Sequence, residues 1–262
     1  MRIGISDKYL DPYYLPLLGE FDFVEYQVYK TEELKKLDMV EKSCYVHLPD
    51  PAEDRFLDLV RAVSKIKCVE LINIHARPFD EYFICKNCGS RLFIPDSQEF
   101  FCPECETLYQ EKELSEMKER NSLEKITETI QTAYCILEAQ GKRLSVENTF
   151  ETPEQMKRII SALPKPVGFT CDIGHAQIFH TSALDYISML GKRLVHLHIH
   201  DNFGGSSDWY HDLHISPGKG AVKWNAILNM LRFLRYQGTG TFESKATMNW
   251  VREFRTLQGD ER

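Results

Sequence analysis

No apolar run in the 262-residue sequence approaches the roughly 18 residues that a membrane-spanning helix needs. The opening residues, MRIGISDKYLDPYY, lack an apolar signal core and a small-residue cleavage site. Both absences point to a cytoplasmic chain with no membrane partner. Positive charge is not in excess. The chain has 32 Lys and Arg against 39 Asp and Glu, a formal net charge of −7, which argues against a general nucleic-acid coat but not against a local basic groove. No internal repeat or low-complexity stretch interrupts the chain. Disorder is excluded by a hydrophobic content of 43%. A chain of this length buries a sizeable core without disulfides, and α/β barrels routinely fill it as one domain.

What is present is a regular alternation. Strand signals fall at 2–6, 21–28, 43–47, 69–75, 143–148, 167–172, 193–200 and 240–244. Helical periodicity lies between them, over 53–65, 123–139 and 224–233, and Thr152-Pro153-Glu154 has the form of a helix start. Eight strands alternating with helices predict parallel βαβ units closing into an α/β barrel of the (β/α)8 TIM type. The first two helices are short.

Residues 82–110 break the alternation. They have hairpin-like pieces, no helical period, and sit after the fourth strand, so they are expected to be an insertion, leaving 1–81 and 111–262 as the barrel. Cys85-x-x-Cys88 and Cys102-x-x-Cys105 lie within it. Two such knuckles from facing hairpins give a tetrahedral thiolate site. The segment resembles a zinc ribbon holding a structural zinc ion. A redox dithiol or an iron site is the competing reading of the same thiols. Because the ribbon is not basic, a lid or a docking knob for a protein partner is favoured over nucleic-acid binding. The single cysteines 44, 68, 135 and 171 read as core residues.

Metal-ligand residue types gather at the ends of the strands. His47 and His75 end the third and fourth, and Glu147 and Asp172 end the fifth and sixth. His175 follows Asp172. His196, His198 and His200 alternate along the seventh, Asp212 and His214 follow, and Glu243 closes the eighth. Alternate residues of a barrel strand point inward, and barrel active sites lie at the strand C-termini. Six successive strands therefore converge on one mouth. His198 is at ligand depth, and His196 one layer deeper, where it packs or hydrogen-bonds. His200 is nearer the rim, with a substrate or supporting role. Arg77 and Lys245, close to strand ends, are candidates to meet a substrate. His180 and His211 are read as loop residues without a role.

The segments VHLPD, NIHARP, SVENT, TCDIGHA, HLHIHDN, DLHISPGKG and TFES together resemble the xylose isomerase-like TIM barrel superfamily, which holds sugar isomerases and epimerases as well as endonuclease IV. The resemblance to the sugar branch implies one divalent ion (zinc, manganese, magnesium or cobalt) on Glu147, Asp172, His198 and Glu243. It also implies Glu147 and Glu243 as the acid/base pair, His175 orienting a small-molecule substrate, and isomerisation or epimerisation of a small sugar. The resemblance to endonuclease IV implies three zinc ions. One would lie on His47, His75 and Glu147; a second on Glu147, Asp172, His198 and Glu243; the third on His175, Asp212 and His214. Three dications over four carboxylates leave a cationic site suited to a phosphodiester, whereas one leaves an anionic site suited to a neutral sugar. SVENTFETPEQM and GFTCDIGHA are closer to the sugar branch, and no basic or aromatic cluster resembles a DNA-wedging loop. Sugar isomerisation is the leading expectation, with abasic-DNA cleavage as the alternative. A third class is a non-catalytic barrel that docks a partner through the ribbon.

Overall fold

In the computed structural model, eight parallel strands close into a barrel. They are β1 (Arg2–Ser6), β2 (Phe23–Gln27), β3 (Cys44–His47), β4 (Val69–His75), β10 (Arg143–Glu147), β11 (Gly168–Asp172), β12 (Leu194–Ile199) and β13 (Thr239–Phe242). Their order around the barrel is β1-β13-β12-β11-β10-β4-β3-β2. Intervening helices are α1 (Phe56–Ser64), α2 (Leu123–Glu138), α3 (Pro153–Ala162), α4 (Ile173–Ile178), α5 (Ala183–Leu190), α6 (Trp224–Phe233) and α7 (Met248–Arg255). The structure describes residues 1–10, 19–37, 40, 42–77, 81–87, 91–93, 99–101, 105–110, 113, 118–120, 122–178, 181–204, 211–245 and 248–258. Among these, none of the helices is long and apolar enough to cross a membrane.

Strand alternation produces two distinct environments. Val24, Val46, Ile72, Ile74, Val146, Phe169, Cys171, Leu197 and Ile199 join the large core shared with the helices. The intervening positions form a separate interior. Phe23, Tyr45 and Leu71 make a small apolar cluster of their own, with the Phe23 and Tyr45 rings stacked 4.0 Å apart. Further along the same strands, the same alternation brings Glu25, His47, Asn73, His75, Ser145, Glu147, Thr170, Asp172, His196, His198 and Thr241. The apolar plug thus gives way to a polar interior toward the strand C-termini, where barrel chemistry resides.

Local sequence explains the element ends. Thr152 caps α3 in a full capping box with Gln155, and Pro153 occupies the first turn. Ser122 and Ser182 cap α2 and α5. The first two strands are followed by 3-10 turns at Asp7–Tyr9 and Thr31–Leu37, matching the short helical segments expected there. Cys44 and Cys171 are buried, as a core role requires, but Cys68 is partly open and Cys135 is exposed. The α2 face carrying Cys135 is the one turned from Ile126, Ile130, Ala133 and Leu137, so its helical phase overrides its apolar character.

Between β4 and α2 the chain leaves the barrel. Strands β5 (Glu81–Ile84), β6 (Arg91–Phe93) and β9 (Lys118–Arg120) form an antiparallel sheet in the order β6-β5-β9. Strands β7 (Glu99–Phe101) and β8 (Leu108–Gln110) form a two-stranded antiparallel pair. The pairing of β9 with β5 carries the antiparallel part past residue 110, because the returning chain closes the sheet before it enters α2.

Candidate metal centre

Glu147 lies at the centre of the site. It ends β10 and is 1% exposed. His47 Nε2 approaches its Oε2 at 3.2 Å, His75 Nε2 its Oε1 at 3.3 Å, and His198 Nδ1 its Oε2 at 3.1 Å. Asn73 donates to the same carboxylate, and is itself held by Ser145. His198 Nδ1 gathers the other carboxylates: Asp172 Oδ2 lies 3.5 Å away and Glu243 Oε2 3.6 Å. Residues 100 positions apart in sequence are therefore brought together because each lies at or next to the C-terminal end of a barrel strand.

A second group continues from the first. His175 follows Asp172 through the start of α4, where its backbone N–H donates to Asp172 Oδ1 at 2.7 Å. Its Nδ1 stands 3.3 Å from Glu147 and its Nε2 3.3 Å from Asp212. His214 Nε2 is 2.8 Å from the same Asp212 oxygen, and its Nδ1 is 2.7 Å from the Glu243 carbonyl. His214 adopts φ +44°, a left-handed conformation that is costly for a side-chain-bearing residue and that tends to persist at functional sites.

His200 is wholly buried and bonds Asp172 at 2.9 and 3.1 Å. Its ring stacks on His214 with centroids 4.0 Å apart, so it packs inside the cluster rather than standing at a rim. Gly174 makes this packing fit: a Cβ there would lie 2.0 Å from His200 Cε1. Gly174→Ala is expected to cost about 1–3 kcal/mol by overpacking and to displace His200 from Asp172, measured as a lower thermal midpoint together with weaker metal binding.

Charge is matched in pairs. Burial disfavours an ionised Glu147, but the positive charges on His198 and His75 outweigh it and hold the carboxyl well below its ordinary range. Asp172 and Asp212 are lowered in the same way, against burial, chiefly by His175 and His200 for the first and by His175 and His214 for the second. Burial lowers His75, His175 and His198, yet the facing carboxylates raise all three above the usual histidine value.

Several side-chain nitrogen and oxygen atoms at this centre have no hydrogen bond. His75 Nε2, Glu147 Oε1 and His198 Nδ1 are buried and unsatisfied. Such groups are expensive to bury, and ligation by a cation is a direct way to satisfy them. His47, His75 and Glu147 form one cluster of ligand atoms lying within 4.8 Å of one another; Glu147, Asp172 and His198 form another, and His175, His200, Asp212 and His214 a third. The donor set, histidine nitrogens with carboxylate oxygens, fits a divalent cation.

The other sequence-selected residues fall differently. Arg77, at φ +41°, sits over Phe150 and places Nη1 3.5 Å from Asp50, so it is tied inside the mouth rather than displayed on the surface. Lys245 is exposed, and its carbonyl accepts from Ser216. The Gly218 amide in the Pro217-Gly218-Lys219-Gly220 turn donates to Asp201 Oδ2, as does Trp224 Nε1, so this turn closes on an internal carboxylate. His211 is exposed, and His180 lies outside the described residues. In the antiparallel insertion, Cys85 and Cys105 come together at 3.5 Å between sulfurs; Cys88 and Cys102 lie outside the described residues.

Two acidic residues of the interior escaped the sequence reading. Asp50, from the segment LPDP, is within 3.7 Å of His75 Nδ1. Glu25, on β2, is 1% exposed and faces both His196 and His198. An acid inside the otherwise apolar stretch FVEY is the one available signal, since parallel strands buried on both faces are usually near-continuously hydrophobic.

The family model described as "Xylose isomerase-like TIM barrel" matches residues 84–258. The chain belongs to this family. A stretch of 133 residues is 29% identical to the uncharacterized protein MJ1311 of Methanocaldococcus jannaschii, covering 47% of this chain and 44% of that protein, so the match spans less than half of the curated relative. Among solved structures, a D-tagatose 3-epimerase-like protein superposes with a TM-score of 0.64 at 21% identity, covering 98% of this chain and 96% of its own. The IOLI protein with a binding zinc atom superposes with a TM-score of 0.61 at 15% identity, covering 99% and 97%. These likenesses match the family's barrel to the one described above.

Proposed function

We propose that the protein is a metal-dependent isomerase or epimerase of a small sugar or sugar-like substrate. The observation that carries this reading is the convergence of Glu147, Asp172 and Glu243 on the unsatisfied Nδ1 of His198. A divalent cation held by these four residues would polarise a substrate carbonyl and stabilise the enediolate formed next to it. Glu147 and Glu243 then act as the proton-transfer pair. One carboxylate removes a proton from the carbon beside the carbonyl, and the other returns it to the opposite face. His175, anchored by Asp172 and Asp212, orients a substrate oxygen. The family membership and the epimerase-like relative support the same class of chemistry.

The clustering of His47, His75 and Glu147, and of His175, Asp212 and His214, favours a second reading, a trinuclear phosphodiesterase acting on abasic DNA. Elemental analysis separates the two. Protein purified without chelator is expected to hold one barrel metal per chain as an isomerase and three as a phosphodiesterase, with one further metal in either case for the ribbon. Nicking of abasic duplex DNA by the trinuclear form would replace the first reading with the second.

The ribbon metal is a structural zinc held by Cys85, Cys88, Cys102 and Cys105. The approach of Cys85 to Cys105 supports it, because thiolates about 2.3 Å from one tetrahedral zinc must lie close together. Cys85→Ser or Cys105→Ser is expected to remove one zinc per chain while leaving the barrel metal bound. A metal count that does not fall in either variant would contradict the assignment.

A further inference from the structure

Strand β2, outside the six strand ends that converge in sequence, supplies a buried carboxylate deep in the barrel. Glu25 reaches across the interior to β12, a strand separated from β2 by β1 and β13. Its Oε1 lies 3.2 Å from His198 Nε2, and its Oε2 lies 3.1 Å from His196 Nε2. Thr241 donates to Oε2 as well. His196 is fixed in turn by Thr239 Oγ1, 2.7 Å from its Nδ1. Among the described residues, Glu25 is paired with histidines and with no lysine or arginine.

This arrangement determines what His198 can do. A carboxylate only accepts hydrogen bonds, so the proton facing Glu25 sits on His198 Nε2. The lone pair left for a ligand is then on Nδ1, the atom that faces Glu147, Asp172 and Glu243 without a hydrogen bond. Metal-bound histidines usually donate their other ring N–H to such a partner, which fixes the ring and raises its basicity.

We propose that Glu25 is the positioning residue of the barrel metal centre: it locks His198 in the Nε2-protonated tautomer and presents Nδ1 to the cation. The inference rests on the metal-centre reading given under Proposed function. Glu25 does not touch substrate. Its two-oxygen grip, on His198 through one oxygen and on His196 and Thr241 through the other, prevents rotation of the carboxylate and so of the imidazole. A buried charge is costly to keep unless it serves a partner, and here that partner is the ligand His198.

The test uses the full-length protein, stripped with chelator and titrated with Co²⁺. The barrel d–d absorbance is read in a Cys85→Ser background, because a tetrahedral thiolate site has d–d bands of its own; the thiolate-to-metal charge-transfer band of the protein with all four cysteines reports the ribbon. Glu25→Gln is expected to weaken barrel Co²⁺ binding by about 10–100-fold and to alter the d–d spectrum, with the charge-transfer band unchanged. Equal barrel affinity and an unchanged d–d spectrum in a folded Glu25→Gln protein would overturn the proposal while leaving the metal centre standing. Absence of any d–d signal in the Cys85→Ser protein with Glu25 intact would overturn the metal centre itself, and the proposal with it. A readout free of substitution decides the matter if the variant does not fold. In wild-type protein with ¹⁵N-labelled histidine and loaded with ¹¹³Cd²⁺, the metal coupling from His198 is expected at Nδ1. Coupling at Nε2 would refute the tautomer assignment.

Discussion

Glu147→Ala is expected to lower metal-dependent proton exchange into the substrate on the order of a thousandfold or more. The residue combines two roles that are separable elsewhere. As a proton-transfer group it accounts for roughly 10²- to 10⁴-fold by itself. As the carboxylate facing His47, His75, His175 and His198, it also holds these four histidines in one electrostatic unit. Glu147→Gln separates the roles, because it keeps the volume and one carbonyl acceptor while removing the charge and the basic oxygen. Both variants are expected to lose exchange, and Glu147→Ala to lose metal more completely, measured by deuterium incorporation beside metal titration. Exchange at the wild-type rate in either variant would place the chemistry elsewhere in the barrel.

The second large effect is that of the metal on stability. In the metal-free chain, burial lowers His75 and His198, but the facing carboxylates outweigh burial and raise both. Stability from the protonated histidines is therefore fully present below the ordinary histidine value, and is lost as pH rises through the raised values. A cation on His198 must displace the Nδ1 proton, so binding releases protons and tightens as pH rises. At free metal about a thousandfold above Kd, binding adds about 4 kcal/mol. For a chain of this size that amounts to roughly 10 °C in the thermal midpoint. The gain is expected to be larger at mildly alkaline than at mildly acidic pH. Scanning calorimetry with and without chelator, and titration calorimetry in buffers of different ionisation enthalpy, check the size and the proton release. A thermal midpoint indifferent to metal at both pH values would remove the metal from the account.

The strand-end residues were legible because the signal is repeated. One histidine at a strand end says little, but His47, His75, Glu147, Asp172, His198 and Glu243 recur at the same phase of successive βα units, and the barrel converts that phase into proximity. Thr152-Pro153 announced α3 because capping chemistry is local. Glu25 was hidden because inward and outward positions of β2 cannot be told apart until its partner is known, and that partner, His198, lies 173 residues away. Asp50 was hidden similarly, since it reaches His75 from a loop with no period of its own. The burial of His200 depends on Gly174 and on stacking with His214, neither of which has a signature along the strand. The closing strand β9 pairs over a long separation with β5, which the hairpin pattern of residues 82–110 does not reveal.

Proton transfer at a carbon next to a carbonyl, supported by a barrel metal, is the chemistry proposed for this site. Its most direct test is incubation of the metal-loaded protein with a panel of ketoses in D₂O, followed by NMR at the carbon adjacent to the carbonyl. Deuterium is expected at that carbon in at least one ketose, dependent on the barrel metal and lost in Glu147→Ala. Full occupancy of the barrel metal with no deuterium in any member of the panel would contradict it.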